Sequence, residues 1–297
     1  MKSVLKQTVN KMQSGKSLLD FLKYDMCVSA SLIRKAKRIE NGITVNGKLR
    51  FVTEKVFEDE SVEVIIETDE EKSENIPFCD IPLEIIYEDE NMLIIDKSGG
   101  VPTHPSLNNY DVSVAGAVMN YYHKQGINFV FRPVNRLDKG TSGLMVIAKN
   151  PNFHELLKKE LHTGNFKREY LALTCGVLNK SGTIDAPIFR EDNSIIKRTV
   201  DIRGVKAITH YKPVKICGDK TLVSLTLETG RTHQIRVHLQ HIGHPLYGDF
   251  LYGKEAEDLN RPALHSYKIT LKNPITGKMR EFISPLKQDI KNIIEKI

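Results

Sequence analysis

The sequence predicts an α+β protein: a mixed, mostly antiparallel sheet with flanking helices, preceded by a small α+β domain. Three observations predict it. Strand-like apolar runs at 83–97, 144–148, 170–174, 207–214 and 222–228 follow one another with few helical stretches between them. They show no regular β-α-β alternation, which disfavours a parallel sheet. Two short amphipathic helical patterns and an Asn-Gly turn mark a separate unit at the N-terminus. The charge divides the chain as well. Through residue 50, eleven basic residues face only Asp20, Asp25 and Glu40, a local charge of +8. From 54 to 74 the balance inverts, with acidic runs at Glu58-Asp59-Glu60 and Asp69-Glu70-Glu71. The polar stretch 67–75 reads as a linker and Ile76-Pro77 as a boundary, giving domains 1–75 and 76–297.

In the head, Ser17 can cap a short helix with Leu18, Leu19, Phe21 and Leu22 on its apolar side. A second helix is expected to begin at Ser29 or Ser31. Leu32, Ile33, Ala36 and Ile39 recur there at helical spacing, while Arg34, Lys35, Lys37 and Arg38 fall mostly opposite. Asn41-Gly42 is the expected left-handed cap. Ile43-Thr44-Val45 alternates as a strand, and Asn46-Gly47 signals a tight hairpin turn.

The body opens with a hairpin, 83–87 against 92–95, turning at 88–91. A Gly-rich loop from Lys97 to Pro105 follows, without the Gly-Lys-Ser/Thr ending of a phosphate loop. Residues 113–123 read as a helix with Val114, Val118 and Tyr122 on one side. Another helix follows Gly230 and ends by Gly243. No internal repeat or low-complexity segment interrupts these elements.

Bulk properties set limits. The 297 residues allow one large domain plus a small one, and 40% hydrophobic with 27% charged residues is usual for a globular chain. No apolar run reaches the length of a membrane span, and Met1-Lys2-Ser3-Val4-Leu5-Lys6 lacks a signal peptide's apolar stretch. A cytoplasmic protein is expected. Cys27, Cys79, Cys175 and Cys217 are scattered with no Cys-x-x-Cys pair, which argues against a zinc ribbon or a disulfide framework. The net charge of +6 suggests, without requiring, a polyanionic partner.

Three segments set polar residues between apolar runs. Asn135-Arg136-Leu137-Asp138-Lys139-Gly140-Thr141-Ser142-Gly143 precedes a strand, a common way to present a carboxylate at a sheet's edge; taken alone, Asp138 reads first as a structural turn residue. In Phe166-Lys167-Arg168-Glu169-Tyr170-Leu171, Tyr170 fits a half-buried core position. Gly230-Arg231-Thr232-His233-Gln234-Ile235-Arg236-Val237-His238 turns out of a strand into a helix. His233, His238, His241 and His244 include i, i+3 spacings that zinc could use, but no cysteine and no His-Glu-x-x-His completes such a site.

Together the three segments resemble the RluA-type family of pseudouridine synthases. Arg136 to Gly143 matches its Arg-Leu-Asp-x-x-Thr-Ser-Gly hallmark, Tyr170 its second motif, and Gly230 to His238 its third. The likeness extends to 83–97, to Pro245-Leu246-Tyr247-Gly248-Asp249 and to Pro262-Ala263-Leu264-His265-Ser266. The head, over about 14–70, resembles the S-four-like RNA-binding domain, which implies that Arg34, Lys35, Lys37 and Arg38 lie on RNA backbone. On residue pattern alone those cations read first as a solvated helix face.

The resemblance implies an isomerase that turns a uracil on its ribose in structured RNA. Asp138 would be the catalytic carboxylate, Tyr170 would stack on the base, and Arg231 would pair with Asp138. Arg136 would fill the gap left by the flipped nucleotide. Nothing is oxidised or hydrolysed, so no cofactor or metal is expected. Large-subunit ribosomal RNA is the expected substrate, transfer RNA the alternative, and the protein is expected to be a monomer. Two further functions compete: a non-catalytic RNA-binding or ribosome-assembly protein, and a nucleosidase, which needs a second carboxylate near Asp138. Two positions depart from the family pattern. Asn135 stands where histidine is usual, with the expected effect on how Arg136 is held, and Ser98 stands where proline is usual.

Overall fold

The computed structural model describes residues 2–67, 76–105 and 110–296. The expected linker, from residue 68 onwards, therefore lies outside the described residues.

The N-terminal unit comprises β1 (Lys2–Thr8), α1 (Leu18–Asp20), α2 (Ala30–Ala36), β2 (Ile43–Val45), β3 (Lys48–Leu49) and β4 (Ser61–Glu67). Its strands form an antiparallel sheet in the order β1-β4-β2-β3. Ser17 caps α1, its hydroxyl accepting from Asp20 N at 3.1 Å, and a π-helical turn, Phe21–Asp25, prolongs the helix. Of the two serines considered, Ser29 caps α2, through Leu32 N at 3.3 Å. Leu18, Phe21, Leu22, Val62 and Val64 are fully buried between the helices and the sheet. Arg34, Lys35, Lys37 and Arg38 are all exposed.

The Asn-Gly signals have different outcomes. Asn46 (φ 49°) and Gly47 (φ 74°) both take the left-handed conformation a two-residue hairpin demands. At Asn41-Gly42 the expected helix cap needs correcting. The helix ends at Ala36 with Lys37 still right-handed, and Asn41 (φ 53°) turns the chain four residues later. Gly42 is required by close approach instead: a Cβ there would stand 2.0 Å from the Ala36 carbonyl oxygen. Strand β1 lacks a counterpart among the sequence expectations.

The larger unit carries β5 (Glu84–Glu88), β6 (Met92–Lys97), α3 (Val114–His123), β7 (Ser142–Ala148), α4 (Pro151–Thr163) and β8 (Phe166–Cys175). It continues through β9 (Gly182–Asp185), β10 (Ile188–Arg190), β11 (Arg198–Val200), β12 (Ile208–Cys217) and β13 (Lys220–Leu227). Last come α5 (Gln234–His241), β14 (Leu264–Lys272), β15 (Met279–Ile283) and α6 (Gln288–Glu295). The nine-stranded sheet runs β5-β6-β7-β14-β8-β13-β12-β9, with β15 alongside β14. Among the described strands only β7 and β14 pair in parallel, so the sheet is mixed and mostly antiparallel, as expected. β10 and β11 form a separate two-stranded ribbon.

Both faces of this sheet are covered, which explains why β6 and β7 are buried along their whole length. Alternate residues serve two cores. Leu93, Ile95, Met145 and Ile147 join α3 and α5, while Met92, Ile94, Leu144 and Val146 meet Phe153 and Leu157 of α4. Helix α4 was not expected from the sequence, although its caps are conventional. Asn150 accepts from Phe153 N at 2.8 Å, Pro151 opens the helix, and Gly164 closes it at φ 79°.

Candidate active site

Asp138 lies in the turn that leads into β7, and the backbone of that turn is held one carbonyl at a time. The Leu137 carbonyl accepts from Thr103 Oγ1 at 2.7 Å, and that of Asp138 from Thr141 N at 3.0 Å. Lys139's carbonyl accepts from Lys97 Nζ at 3.1 Å and Gly100 N at 2.8 Å, and Gly140's from Arg261 Nη1 at 3.0 Å. Arg261 is itself gripped at both ends of its fork by Asp289 of α6, at 2.7 and 2.9 Å. Lys97 also donates to the carbonyls of Ser98 and Val101. Burial, and then the neighbouring Arg261 charge, push its ammonium pKa down to about 7 against the opposing pull of Asp138. A turn whose four successive carbonyls are all held fixes where its side chain points.

The strand behind the turn is tied down too. Asn135, at the position where histidine is usual, behaves as an extra strand residue. Its Oδ1 accepts from Val146 N at 2.8 Å and its Nδ2 donates to the Leu144 carbonyl at 3.2 Å. Asn135 thus holds β7, and Arg136 beside it is exposed at the cleft mouth. At Gly143 (φ 107°) the parallel neighbour comes so close that a Cβ would stand 2.3 Å from the Ser266 carbonyl oxygen. Ser142 Oγ lies 3.0 Å from Nδ1 of buried His265.

The Asp138 side chain is 30% exposed and faces a cleft shared with Tyr170 of β8, Arg136, Arg168, Gly230, Arg231, His233 and Arg236. Two groups stand near its Oδ2: Arg236 Nη1 at 3.9 Å and His233 Nε2 at 4.0 Å. Arg236 is buried and bound through two nitrogens to the fully buried Asp249, both bonds 2.7 Å. Its guanidinium also lies 4.9 Å from the Tyr252 ring centroid. His233 takes the left-handed conformation (φ 57°) just before α5, and its Nδ1 lies 2.8 Å from the Tyr252 hydroxyl. Burial lowers the His233 pKa, opposed by the Asp138 charge. Tyr170 is buried, and burial is the main cause of its raised phenol pKa, with the Asp138 charge acting in the same direction.

The expected pairing of Arg231 with Asp138 is therefore corrected. Arg231 is exposed, its Nε donates to the Lys206 carbonyl at 3.1 Å, and the arginine within 4.0 Å of Asp138 is Arg236. Arg231 precedes the left-handed turn at His233, whereas Arg236 lies in the first turn of α5, buried where Asp249 binds it. Both arginines belong to the same motif, and nothing in its spacing says which one turns inward. Asp249 and Tyr252, which fix Arg236, and Lys97 and Arg261, which fix the turn, were also missed. The 83–97 and Pro245-to-Asp249 segments, which end at Lys97 and Asp249, were the signals that could have found two of them.

Remaining expectations fall elsewhere. Arg34, Lys35, Lys37 and Arg38 sit on or just past α2 and are not among the residues lining the cleft. Two more of the histidines have partners: His238 lies 2.9 Å from both Thr209 Oγ1 and the Ala186 carbonyl, and His244 lies 3.1 Å from the Cys175 carbonyl, while His241 is exposed. One carboxylate besides Asp138 lines the cleft, Glu228, 2.7 Å from His210 Nε2.

Comparison with known proteins identifies the family. The profile of the family described as RNA pseudouridylate synthase matches residues 91–241. The uncharacterized RNA pseudouridine synthase YjbO of Bacillus subtilis is 38% identical over 273 residues, covering 91% of this chain and 96% of its own. The ribosomal large subunit pseudouridine synthase D of Pasteurella multocida is 37% identical over 276 residues, covering 86% of this chain and 83% of its own. That of Escherichia coli K12 is 37% identical over 278 residues, with the same shares. Among solved structures, human RNA Pseudouridylate Synthase Domain Containing 4 superposes with a TM-score of 0.59 at 22% identity, over 72% of this chain and 92% of its own. Human RNA Pseudouridylate Synthase Domain Containing 1 gives 0.56 at 24%, over 69% and 83%. These two likenesses concern the fold; the sequence relatives and the family profile carry the activity. The chain belongs to the RNA pseudouridylate synthase family and is an RNA pseudouridine synthase.

Proposed function

We propose that Asp138 is the catalytic carboxylate, aimed by its rigid turn at the sugar of a uridine flipped into the cleft. The observation that carries this reading is a partly exposed carboxylate on a turn held through its carbonyls, beside a tyrosine and within 4.0 Å of one buried arginine. The reaction breaks the bond between the sugar carbon and uracil N1, leaving the electron pair on the base. A bond to carbon 5 then forms, carbon 5 loses its proton, and N1 gains one. A carboxylate can attack or stabilise the electron-poor sugar while the base is detached. Tyr170 can hold the turning ring by stacking, and its raised pKa keeps the phenol protonated as a hydrogen-bond donor. Arg236, anchored by Asp249, supplies a fixed positive charge near the carboxylate without needing to reorganise. Arg231 and Arg136, exposed on the same cleft, suit contact with RNA backbone and with the space a flipped base vacates.

We further propose a division into an RNA-binding domain, 1–75, and a catalytic domain, 76–297. Arg34, Lys35, Lys37 and Arg38 of the head would track phosphates without reading sequence. The relatives named for the ribosomal large subunit favour its RNA over transfer RNA as substrate. A cytoplasmic monomer completes the proposal. No helix among the described residues is long and apolar enough to cross a membrane.

The test is release of tritium from 5-tritiated uridine in RNA. Asp138→Asn keeps size and turn chemistry but not the carboxylate. Its turnover should fall by about a thousandfold or more, with RNA affinity held within a few-fold. Appreciable turnover by this variant would remove Asp138 from its role. Conserved RNA mass, with no free uracil, separates isomerisation from nucleosidase action.

A further inference from the structure

We propose that Arg168 is a further substrate-binding residue, whose guanidinium receives an anionic oxygen of the target nucleotide beside Tyr170. Among the described residues four lysine or arginine side chains are buried: Lys97, Arg168, Arg236 and Arg261. Three have well-matched partners. Lys97 donates to three carbonyls, Arg236 is forked onto Asp249, and Arg261 onto Asp289 and the catalytic turn. Arg168 is only 9% exposed, yet it has a single long bond, from Nη2 to the Thr229 carbonyl at 3.4 Å. Its Nε is buried without a partner, and among the described residues no carboxylate stands within 4.0 Å. A guanidinium carries five donors and is costly to bury with so few used.

Its position gives those donors a purpose. Arg168 lies two residues before Tyr170 on β8, so both side chains leave the same face of the strand and line the cleft that holds Asp138. Gly230 makes room for it: a Cβ at 230 would stand 2.7 Å from Arg168 Nη1. A flipped uridine brings two sources of anionic oxygen to such a group. One is the flanking phosphate. The other is the uracil itself, whose carbonyl oxygens share the negative charge while the base is detached. Arginine suits either, because its planar fork grips oxygen pairs. The inference rests on Asp138 being the catalytic carboxylate.

The experiment uses the full chain with 5-tritiated ribosomal RNA transcripts that the wild type modifies. Arg168→Gln, Arg168→Lys and Gly230→Ala are compared in single-turnover rate at saturating RNA, in Kd across a salt series, and in thermal unfolding. Arg168→Gln should lose about tenfold or more in rate or affinity while remaining folded, with partial rescue in Arg168→Lys. Gly230→Ala should move in the same direction by displacing the guanidinium. A phosphate contact weakens Kd and reduces the log–log salt slope by about 0.7–0.9. A uracil contact lowers the saturated rate and leaves Kd and slope alone. Arg168→Gln within twofold of wild type in both quantities overturns the proposal. So does a loss that merely follows reduced thermal stability and is equal in the Lys variant. Activity retained by Asp138→Asn is a separate failure, that of the catalytic assignment.

Discussion

The Asp138 turn and helix α2 of the head carry charge in opposite ways. In the turn, one carboxylate is backed by four consecutive held carbonyls, and the cations that hold or face it are buried and anchored. On or just past α2, four basic side chains stand exposed around a short helix secured by its Ser29 cap and its buried apolar side. The difference fits the two tasks proposed for them. Bond-making needs a group aimed to within a fraction of an ångström, so its support must be rigid. Attraction to phosphate needs only charge within reach, so exposed side chains suffice.

Substitutions on each side of this contrast put it at risk. Asp249→Ala should have the largest effect. It strips Arg236 of a fully buried partner, and breaking such a pair costs about 3–5 kcal/mol of stability. Isomerisation should fall with it, even at temperatures where the variant is folded. A variant with wild-type melting and wild-type rate would show that Arg236 needs no anchor.

Asp289→Asn should come second. It leaves α6 in place but weakens the two-pronged hold on Arg261, and through it on the Gly140 carbonyl. The saturated rate should drop by about tenfold with Kd for RNA unchanged, because a turn that drifts loses alignment rather than binding. Weaker binding at an unchanged rate would mean that α6 serves the RNA rather than the turn.

Arg231→Ala should have a smaller effect, confined to binding. With no ion pair to Asp138, the loss belongs in Kd and in the salt slope, and the saturated single-turnover rate should stay within twofold. A large fall in that rate would restore a catalytic role to Arg231. The smallest effect on chemistry should follow replacement of Arg34, Lys35, Lys37 and Arg38 by glutamine. The salt slope should lessen by roughly 0.7–0.9 for each phosphate left without its cation, while the bound-state rate stays constant. An unmoved slope would leave the four as an ordinary solvated face.

Much of this was legible in the chain itself. Local rules are enough where a residue's neighbours in sequence are its neighbours in space. Asn46-Gly47 dictates its own hairpin, Ser113 its own helix start, and the apolar runs of the body its strands. Arg136 to Gly143, Tyr170 and the run from Gly230 to His238 likewise mark the cleft, because type and order alone single them out. Helix α4 was missed although Asn150, Pro151 and Gly164 spell its ends, since its mixed composition hides the apolar side that Phe153 and Leu157 bury.

Other features were settled only when distant segments met. Whether Arg231 or Arg236 faces Asp138 depends on the left-handed turn at His233 and on Asp249, thirteen residues beyond Arg236 in the chain. The hold on the Asp138 turn is assembled from Lys97 and Thr103 of one loop, Arg261 and Asp289, from three separate stretches of sequence. Sequence determined which side chains can do the chemistry, because that follows from their functional groups. Tertiary structure decided which of them meet, because a buried charge goes where the fold supplies its partner, and that partner can lie anywhere along the chain.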